Sequence, residues 1–479
     1  MAEKYDVAII GAGIGGLVCG CYLAKAGLKV IIVEQHNKPG GYCTSFERQG
    51  YRFDVGVHYF GGINNGLMGR ILDELCIRDQ ITFKQFDPTD KIIMPDVVTY
   101  IRANPLDTIE EFKNKFPKEK NNIDRFFDFI MQKNFVQVYA KTKGHTFEDI
   151  LNSFFKDNRL KATLGVLVSN IGASPAQAVA FPSLILLRQY SLEPGFYPIG
   201  GVQAFPDILT KYFKEKGGEL ILSEKVTEII FENKVAVGIR LDKGKKVISK
   251  IVVSNADATE TFKELINTDT IESRLVNKMK ISPSMFIVYL GLKVNLKKIL
   301  DKKCNVFYFS SYDVNTVYND LDRNVLKDKL PWLICDFPSL HDCSVDSEKS
   351  TAIIMMCAPY KTRSFWNKHK EILSDKMINL VQELNIIPDI EKYIDLKIIG
   401  TPHTLYKYTN NRAGSFSGWL PTVKQTGKDY IPQETSVPNL YLAGHWCSTG
   451  YLHYGGIPNV VFLGRRASIL ILRKLKKIQ

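Results

Sequence analysis

The amino-acid sequence predicts an α/β protein of two interleaved domains, one of them built on a parallel sheet. Three observations support this prediction. Residues 5–34 follow the pattern of a strand, a glycine-rich turn, a helix and a second strand. Residues 219–256 alternate β-branched with charged residues and then return to a buried strand at 251–254. The chain has no low-complexity linker and no internal repeat, so the second domain is predicted to be inserted into the first.

The composition is that of an ordinary globular protein, because 45% of the 479 residues are hydrophobic and 11% are aromatic. The net charge of +13 indicates an anionic partner, and nucleic acid, an anionic membrane surface and a phosphate-bearing ligand are the alternatives. Nine scattered cysteines favour a reducing compartment. The sequence shows no signal peptide and no apolar stretch of spanning length, which predicts a cytoplasmic protein.

The strongest functional signal is the opening stretch VAIIGAGIGGLVCGCYLAKAGLKVIIVEQ, residues 7–35. Gly11, Gly13 and Gly16 form GxGxxG after an apolar strand, where they permit a tight turn, close approach to a pyrophosphate and close helix packing. The helix that follows directs its free N–H groups at the phosphates. Glu34 ends the second strand, where an acid accepts hydrogen bonds from a ribose. These features favour a Rossmann-like dinucleotide site over a merely structural turn.

The next stretch, NKPGGYCTSFERQGYRFDVGVHYFGG, indicates which dinucleotide binds. Here the sequence resembles the FAD-dependent phytoene desaturases, carotenoid isomerases and retinol saturases, relatives of the amine oxidases. FYPIGGVQAFPDIL, GGELILSEKVTEI and VVSNAD extend the likeness to the middle of the chain. The resemblance implies an FAD site; its predicted residues up to the middle of the chain are Gly11, Gly13, Gly15, Gly16, Glu34, Gln35, Gly40, Gly41 and Val226, the last with its backbone at the adenine.

The final segment, AGHWCSTGYLHYGGIPNVVFLGRR, completes this site in the resemblance. Gly444 ends a strand that returns to the first domain, and Gly455, Gly456 and Ile457 are expected to close over the flavin at the start of a helix. His445 stands where relatives carry an acid that holds the ribityl chain. It is therefore expected to contact either the ribityl chain or the substrate.

The resemblance also implies domain boundaries and catalytic candidates. Residues 1–90, 195–280 and 430–479 are assigned to a discontinuous FAD-binding domain, and residues 91–194 and 281–429 to a mixed α/β substrate-binding domain. His58, Tyr59 and His453 are the catalytic candidates beside the flavin, although a packed aromatic corner accounts for them equally well. No metal site is predicted, because the histidines are dispersed and no metal-ligand spacing occurs.

The predicted function is redox chemistry or isomerisation at carbon–carbon double bonds of a long apolar substrate: a carotenoid, a retinoid or an unsaturated lipid chain. Desaturation, saturation and isomerisation all stay open. The alternatives are a flavin amine oxidase, for which no aromatic cage or paired carboxylate is evident, and a non-catalytic FAD-containing lipid-binding protein. The electron donor or acceptor is unidentified, since no second glycine fingerprint follows a strand.

The positive charge has two interpretations at the C-terminus. Residues 465–479 carry six basic residues, no acid and an apolar ridge. This pattern fits a solvated last helix or a docking edge for an anionic membrane surface. Nucleic acid is disfavoured as a partner, because the basic residues are not interleaved with an exposed aromatic motif.

Overall fold

The computed structural model describes residues 4–266, 268–342, 348–427, 429–452 and 455–476. Its strands in chain order are β1 (Lys4–Ile10), β2 (Val30–Val33), β3 (Ser45–Arg48), β4 (Tyr51–Asp54), β5 (Phe83–Phe86), β6 (Asp90–Ile93), β7 (Val98–Ile101), β8 (Gly195–Pro198), β9 (Glu219–Ile221), β10 (Val226–Glu232), β11 (Val235–Leu241), β12 (Lys246–Ser254), β13 (Ser284–Leu292), β14 (Asn305–Phe309), β15 (Trp332–Asp336), β16 (Ser350–Ala358), β17 (Ile394–Gly400) and β18 (Leu440–Leu442).

The α-helices in chain order are α1 (Ile14–Lys25), α2 (Leu67–Glu74), α3 (Pro105–Lys115), α4 (Lys120–Met131), α5 (Phe135–Thr142), α6 (Phe147–Phe154), α7 (Asn158–Val166), α8 (Ala180–Ser191), α9 (Ala204–Glu215), α10 (Ala258–Glu260), α11 (Ile271–Leu275), α12 (Leu296–Ile299), α13 (Val314–Asn319), α14 (Leu321–Asn324), α15 (Pro338–His341), α16 (Arg363–Glu383), α17 (Pro402–Thr409) and α18 (Ile457–Lys474).

The first sheet has the strand order β10-β11-β12-β1-β2-β9, and β18 pairs with β12. The pairs from β18 through β12, β1 and β2 to β9 are parallel, whereas β10, β11 and β12 form an antiparallel meander. The four residues of β2 are all buried, as are the last four of β1. Continuous apolar runs are needed here because helices or loops cover both faces of a parallel sheet.

The second sheet has the order β17-β13-β16-β15-β14-β6-β7 and is antiparallel except where β14 pairs with β6. All nine residues of β13 and all nine of β16 are buried. The predicted α/β class, with a mixed sheet beside a largely parallel one, is confirmed.

Three helices pack on the first sheet: α1 contacts β2, α9 contacts β9 and α18 contacts β18. Helix α1 also packs against both α9 and α18. Two glycines set the spacing between α1 and α18. A Cβ atom built on Gly464 of α18 would lie 2.5 Å from the carbonyl oxygen of Gly15. The final helix therefore lies directly on the glycine-rich turn rather than beside it.

The apolar ridge of this final helix is not a free surface. Ile471 and Leu472 are buried in the core with the residues of α1. Arg465 donates two hydrogen bonds to the carboxylate of Glu74, at 2.7 and 3.0 Å. The packing of α18 on α1 therefore covers apolar residues of the described part of 465–479, while Arg473, Lys474 and Lys476 stay exposed. A solvated last helix and a docking edge for an anionic membrane both stay predictions. In the part of the chain that the structure describes, no helix is long and apolar enough to cross a bilayer.

Candidate functional site

One extended cavity lies between the two sheets, at the carboxyl ends of β1 and β2. It is lined at one end by the glycine-rich turn and at the other by side chains of β13, β15 and β16. The lining of the cavity therefore changes from glycine backbone at one end to apolar side chains at the other.

The glycine-rich turn places the start of α1 on the cavity. Gly11 has a φ of +91°, which favours glycine, and a Cβ on Gly16 would lie 2.3 Å from the Gly11 carbonyl oxygen. Gly13 caps the helix, and Gly13 and Gly15 both line the cavity. The first turn of α1 holds no acidic side chain. Its N–H groups and positive dipole end are therefore available to an anion.

Asn255, which the sequence analysis did not single out, contacts this turn. Its amide nitrogen donates to the Gly11 carbonyl at 3.4 Å. A Cβ on Gly13 would lie 2.7 Å from that nitrogen, and a Cβ on Gly15 would lie 2.6 Å from the backbone nitrogen of Gly444. The sequence analysis explained Gly13 by close approach to a pyrophosphate. The missing side chain at Gly13 also leaves room for the amide group of Asn255. The signal in the sequence was a polar residue directly after a buried parallel strand.

Glu34 accepts a hydrogen bond from the glycine-rich turn and also lines the cavity. Its Oε2 accepts from the Ala12 N–H at 2.7 Å and its Oε1 from the His36 N–H at 2.8 Å. Burial raises the pKa of this carboxyl group, while the N–H donors oppose that rise. Each carboxylate oxygen keeps a second lone pair, so Glu34 is able to accept from a ribose hydroxyl without losing these bonds.

The second glycine pair lies alongside the first. The Gly40 N–H donates to the Ala12 carbonyl at 2.8 Å, and Gly41 has a left-handed φ of +63°. Gln35 and Val226 also line the cavity, on the side of Glu34 and Lys225. The structure therefore brings together the predicted residues from the N-terminal and central motifs.

The C-terminal segment also lines the cavity. Gly444 has a φ of +81°, and Gly456, with a φ of +105°, caps α18. Gly455, Gly456 and Ile457 line the cavity, and the Gly455 N–H donates to the hydroxyl of Ser417 at 2.7 Å. Ser417 is a further residue that the sequence analysis missed. The catalytic candidate His453 lies outside the described residues.

His445 lines the cavity, and its Nε2 has no hydrogen-bond partner among the described residues. Burial lowers the pKa of this imidazole to about 4, so it is neutral at pH 7. A neutral imidazole donates or accepts a hydrogen bond but supplies no negative charge. His445 is therefore able to hydrogen-bond a ligand in the cavity without adding a charge.

His58 and Tyr59 also line the cavity, each with a buried carboxyl group behind it. The Tyr59 hydroxyl donates to Asp90 Oδ2 at 2.8 Å, and His58 Nδ1 lies 3.7 Å from Asp336 Oδ2. Tyr59 also packs edge-on against Phe86. The interpretation as a packed aromatic corner therefore describes the ring of Tyr59. The Tyr59 hydroxyl and the His58 ring also face Asp90 and Asp336, two acids that the sequence analysis did not single out.

The far wall of the cavity is apolar and belongs to the second sheet. Alternate residues of three strands face it, and they are Met285, Ile287, Trp332, Ile334, Met355 and Cys357. Among the described residues, no group of three or more His, Cys, Asp or Glu side chains is placed to hold a metal ion. The wall is suited to an apolar molecule, which it contacts by shape rather than by charge.

Comparisons with known proteins agree with this geometry. A family profile described as an NAD(P)-binding Rossmann-like domain matches residues 9–75. The chain is 25% identical over 506 residues to an all-trans-retinol 13,14-reductase of Danio rerio, covering 92% of this chain and 82% of that protein. It is 25% identical over 512 residues to a prolycopene isomerase of Daucus carota, covering 97% and 79%. It is 23% identical over 438 residues to a 4,4'-diapophytoene desaturase of a Methylomonas species, covering 84% and 83%.

Solved structures share the whole architecture. An oxidoreductase from Methanosarcina mazei superposes with a TM-score of 0.69 at 16% identity, covering 99% of this chain and all of that one. A cyclohexylamine oxidase from Brevibacterium oxydans does so with a TM-score of 0.61 at 14% identity, with the same coverage of both chains. The resemblance to phytoene desaturases, carotenoid isomerases and retinol saturases, and the shared fold of the amine oxidases, are therefore confirmed.

Proposed function

We propose that this protein is an FAD-dependent oxidoreductase that acts on carbon–carbon double bonds of a long apolar substrate. The observation that carries the proposal is the continuity of one cavity from the glycine-lined turn to an apolar wall. The curated relatives, a retinol reductase, a prolycopene isomerase and a diapophytoene desaturase by name, support the same substrate class. Carotenoids, retinoids and unsaturated lipid chains are the substrates to test, by desaturation, saturation or isomerisation.

The residues present fit the shape and chemistry of FAD. The N-terminal end of α1 is suited to the pyrophosphate, Glu34 to a ribose and the Val226 backbone to the adenine. The flavin ring would contact Gly455, Gly456 and Ile457. A side chain at Gly455 is excluded by Ser417, since an added Cβ would lie 2.6 Å from its hydroxyl oxygen. His445 would hydrogen-bond the ribityl chain or the substrate. When bound, FAD supplies the acceptor or donor of a hydride equivalent.

The chain's own residues then position the substrate and exclude water. The wall formed by β13, β15 and β16 offers no charged group to the cavity along its apolar part. Such a wall discriminates by shape, because one methylene is worth only about 1–3 kcal/mol in a hydrophobic pocket. We therefore expect turnover of several chain lengths and little turnover of short, charged amines.

Two adjacent methionines provide a matched test. Met355 lines the cavity, whereas Met356 points to the opposite face of the same strand, and both are buried. Replacing either by Gln buries one amide in a similar sheet environment, so both variants are expected to lose similar stability. We expect Met355→Gln to raise KM for a polyene by at least 10-fold, the low end of the range for losing good apolar contact. Met356→Gln should keep the wild-type KM.

The screen itself uses anaerobic, FAD-loaded protein in both redox states. Polyenes, retinoids, unsaturated acyl chains and amines are added in turn, and flavin absorbance and product masses are recorded. Flavin reduction by amines, with no response to any polyene or unsaturated lipid, would overturn the proposal in favour of an amine oxidase. Bound FAD that no substrate reduces or reoxidises would instead indicate a lipid-binding protein.

The proposed location is the cytoplasm, with peripheral contact to an anionic membrane. The free cysteines among the described residues support a reducing compartment. Arg473, Lys474 and Lys476 are exposed at the end of α18 and support the membrane contact. Because the neighbouring apolar ridge is buried, this contact would be electrostatic and sensitive to salt.

A further inference from the structure

Three buried polar side chains form one row across the second sheet. Asn305 on β14 pairs in register with Asp90 on β6. On the other side of β14, Val306 pairs with Cys335, which brings Asn305 opposite Asp336. All three side chains are 1% exposed. They lie on the face that presents Ile334 to the cavity, because residues two apart in a strand share a face.

This row is difficult to explain by stability. Neither carboxylate oxygen of Asp336, nor Oδ1 of Asp90, nor either amide atom of Asn305 has a hydrogen-bond partner in the part of the chain that the structure describes. Buried polar groups without partners destabilise a fold, and apolar replacements of similar size often stabilise it. The rows beyond it on the same face are apolar. A polar row at one end of an otherwise apolar wall therefore indicates a chemical role.

His58 and Tyr59 lie between this row and the cavity. His58 Nδ1 is 3.7 Å from Asp336 Oδ2, and the His58 side chain is 19% exposed. The Tyr59 hydroxyl donates to Asp90. When a carboxyl group faces one ring nitrogen of a histidine, the other nitrogen is left for a ligand. Because His58 lines the cavity, that second nitrogen is the atom available to the substrate.

We propose that His58, positioned by Asp336, exchanges a proton with a carbon of the substrate's double-bond system. This inference rests on the proposed function, which supplies the unsaturated substrate. In the forward step the N–H bond of His58 breaks, a C–H bond forms, and the π electron pair moves into that bond. In an isomerisation the neighbouring carbon is left electron-deficient, the chain rotates, and one of the two hydrogens now on the protonated carbon returns to His58, so no oxidant is consumed. When the original hydrogen leaves, the hydrogen delivered from solvent stays on the carbon. In a saturation His58 supplies the proton, and reduced FAD, when bound, would supply the hydride equivalent that the electron-deficient carbon needs. In a desaturation His58 would take the proton and oxidised FAD would take the hydride equivalent.

The charged and titratable groups around His58 favour holding a proton at this end of the cavity. Asp336 on β15 is the carboxyl group that faces His58, and it interacts electrostatically with Asp90 on β6, Asp54 on β4, Tyr59 and Tyr197. Burial raises the pKa of Asp336, and it raises the pKa of Asp90 to about 7 and that of Asp54 to about 6. Buried carboxyl groups with raised pKa values are frequent at sites where protons are transferred, and this cluster lies directly behind a histidine that lines the cavity.

The experiment measures solvent deuterium in the substrate. FAD-loaded protein is incubated with all-trans-retinol or a carotene in D₂O, and recovered substrate and product are analysed by mass spectrometry. Wild type is expected to place deuterium at one carbon of the double-bond system. His58→Gln should lower that exchange by 100-fold or more, as for the loss of a general acid–base group. Asp336→Asn should lower it at least 10-fold and shift the pH of half-maximal exchange.

The matched control is His341, a buried histidine stacked on Phe86 at 3.9 Å between ring centroids and outside the cavity lining. His341→Gln should keep exchange within about 2-fold of wild type, a smaller change than any loss of acid–base catalysis. Imidazole should partly restore exchange to His58→Ala, a rescue that a merely structural role would not give.

Two results would overturn the inference. One is wild-type protein that holds FAD and turns over a polyene without taking deuterium from solvent; the proposed function would then stand without this proton exchange. The other is His58→Gln protein that keeps its FAD content and exchanges at the wild-type rate. The substrate screen measures flavin reduction and does not depend on deuterium exchange. It therefore distinguishes failure of the proposed function from failure of the proton exchange at His58.

Discussion

The packing of α18 on the glycine-rich turn predicts the effect of a single methyl group at Gly464. The Cβ atom of Gly464→Ala would lie 2.5 Å from the carbonyl oxygen of Gly15, 0.9 Å short of the 3.4 Å at which ordinary contact begins. That oxygen belongs to backbone and is unable to rotate away. Alanine gains about 1 kcal/mol over glycine in a helix interior. Overpacking costs typically 1–3 kcal/mol, and a backbone clash belongs in the upper part of that range.

We therefore expect Gly464→Ala to lose about 1–2 kcal/mol of unfolding free energy, the difference between these two effects. Because α18 carries Gly456 and Ile457, its displacement should also lower the FAD content of the purified protein. Urea denaturation and flavin absorbance measure the two effects.

Gly20 is the matched control for this substitution. It lies in α1, and its added Cβ would meet the Cδ1 methyl of Ile32 at 2.8 Å, the end of a side chain that is able to move. Gly20→Ala should change the unfolding free energy by less than about 1 kcal/mol, because the helix-propensity gain offsets the adjustment. A Gly464→Ala protein that is as stable as wild type and fully loaded with FAD would refute the argument that backbone contact fixes the two helices.

Three further predictions concern charge. Glu34→Ala should weaken FAD binding roughly 10- to 150-fold, corresponding to about 1.5–3 kcal/mol for hydrogen bonds to a charged group, as measured by equilibrium dialysis. Burial raises the pKa of Asp90 to about 7, so its contribution to stability is greatest at acid pH and falls as the pH rises from about 4, its unfolded value, through 7. Asp90→Asn, which still accepts from Tyr59, should be more stable than wild type at pH 8 and lose that advantage at pH 4 in urea denaturation. Replacing Arg473 and Lys474 by Gln should reduce binding to anionic vesicles about 30-fold, at about 1 kcal/mol per charge, and equal partitioning of both proteins would return α18 to the role of a solvated last helix.

The dinucleotide end of the cavity was predictable because it depends on local backbone geometry. Strand, turn and helix follow one another within 30 residues, and the spacing of Gly11, Gly13 and Gly16 in that turn is visible in the sequence. The predicted strand at 251–254 was likewise identifiable from its apolar run, and it is the last part of β12.

The row formed by Asp90, Asn305 and Asp336 was not predictable, because it depends on the register between strands that are far apart in the sequence. Asp90 and Asp336 are 246 positions apart in the sequence, and each looks like an ordinary polar residue at a strand end. Only the pairing of β6, β14 and β15 brings them behind His58. The contact of Asn255 with Gly13 and Gly15 was missed for a similar reason, since it depends on the parallel pairing of β1 with β12.

The return of β18 to the first sheet has a consequence for how the protein is made. The site needs Glu34 from the second strand and Gly456 from the start of α18, which are 422 positions apart in the chain. At a synthesis rate of about 5–20 residues per second, roughly 20–80 seconds pass between the emergence of these two residues. During that interval α1 lacks the helix that covers it. Assembly of the complete site therefore waits for the synthesis of α18, and a nascent or truncated chain ending before residue 440 would expose the face of α1 that α18 covers.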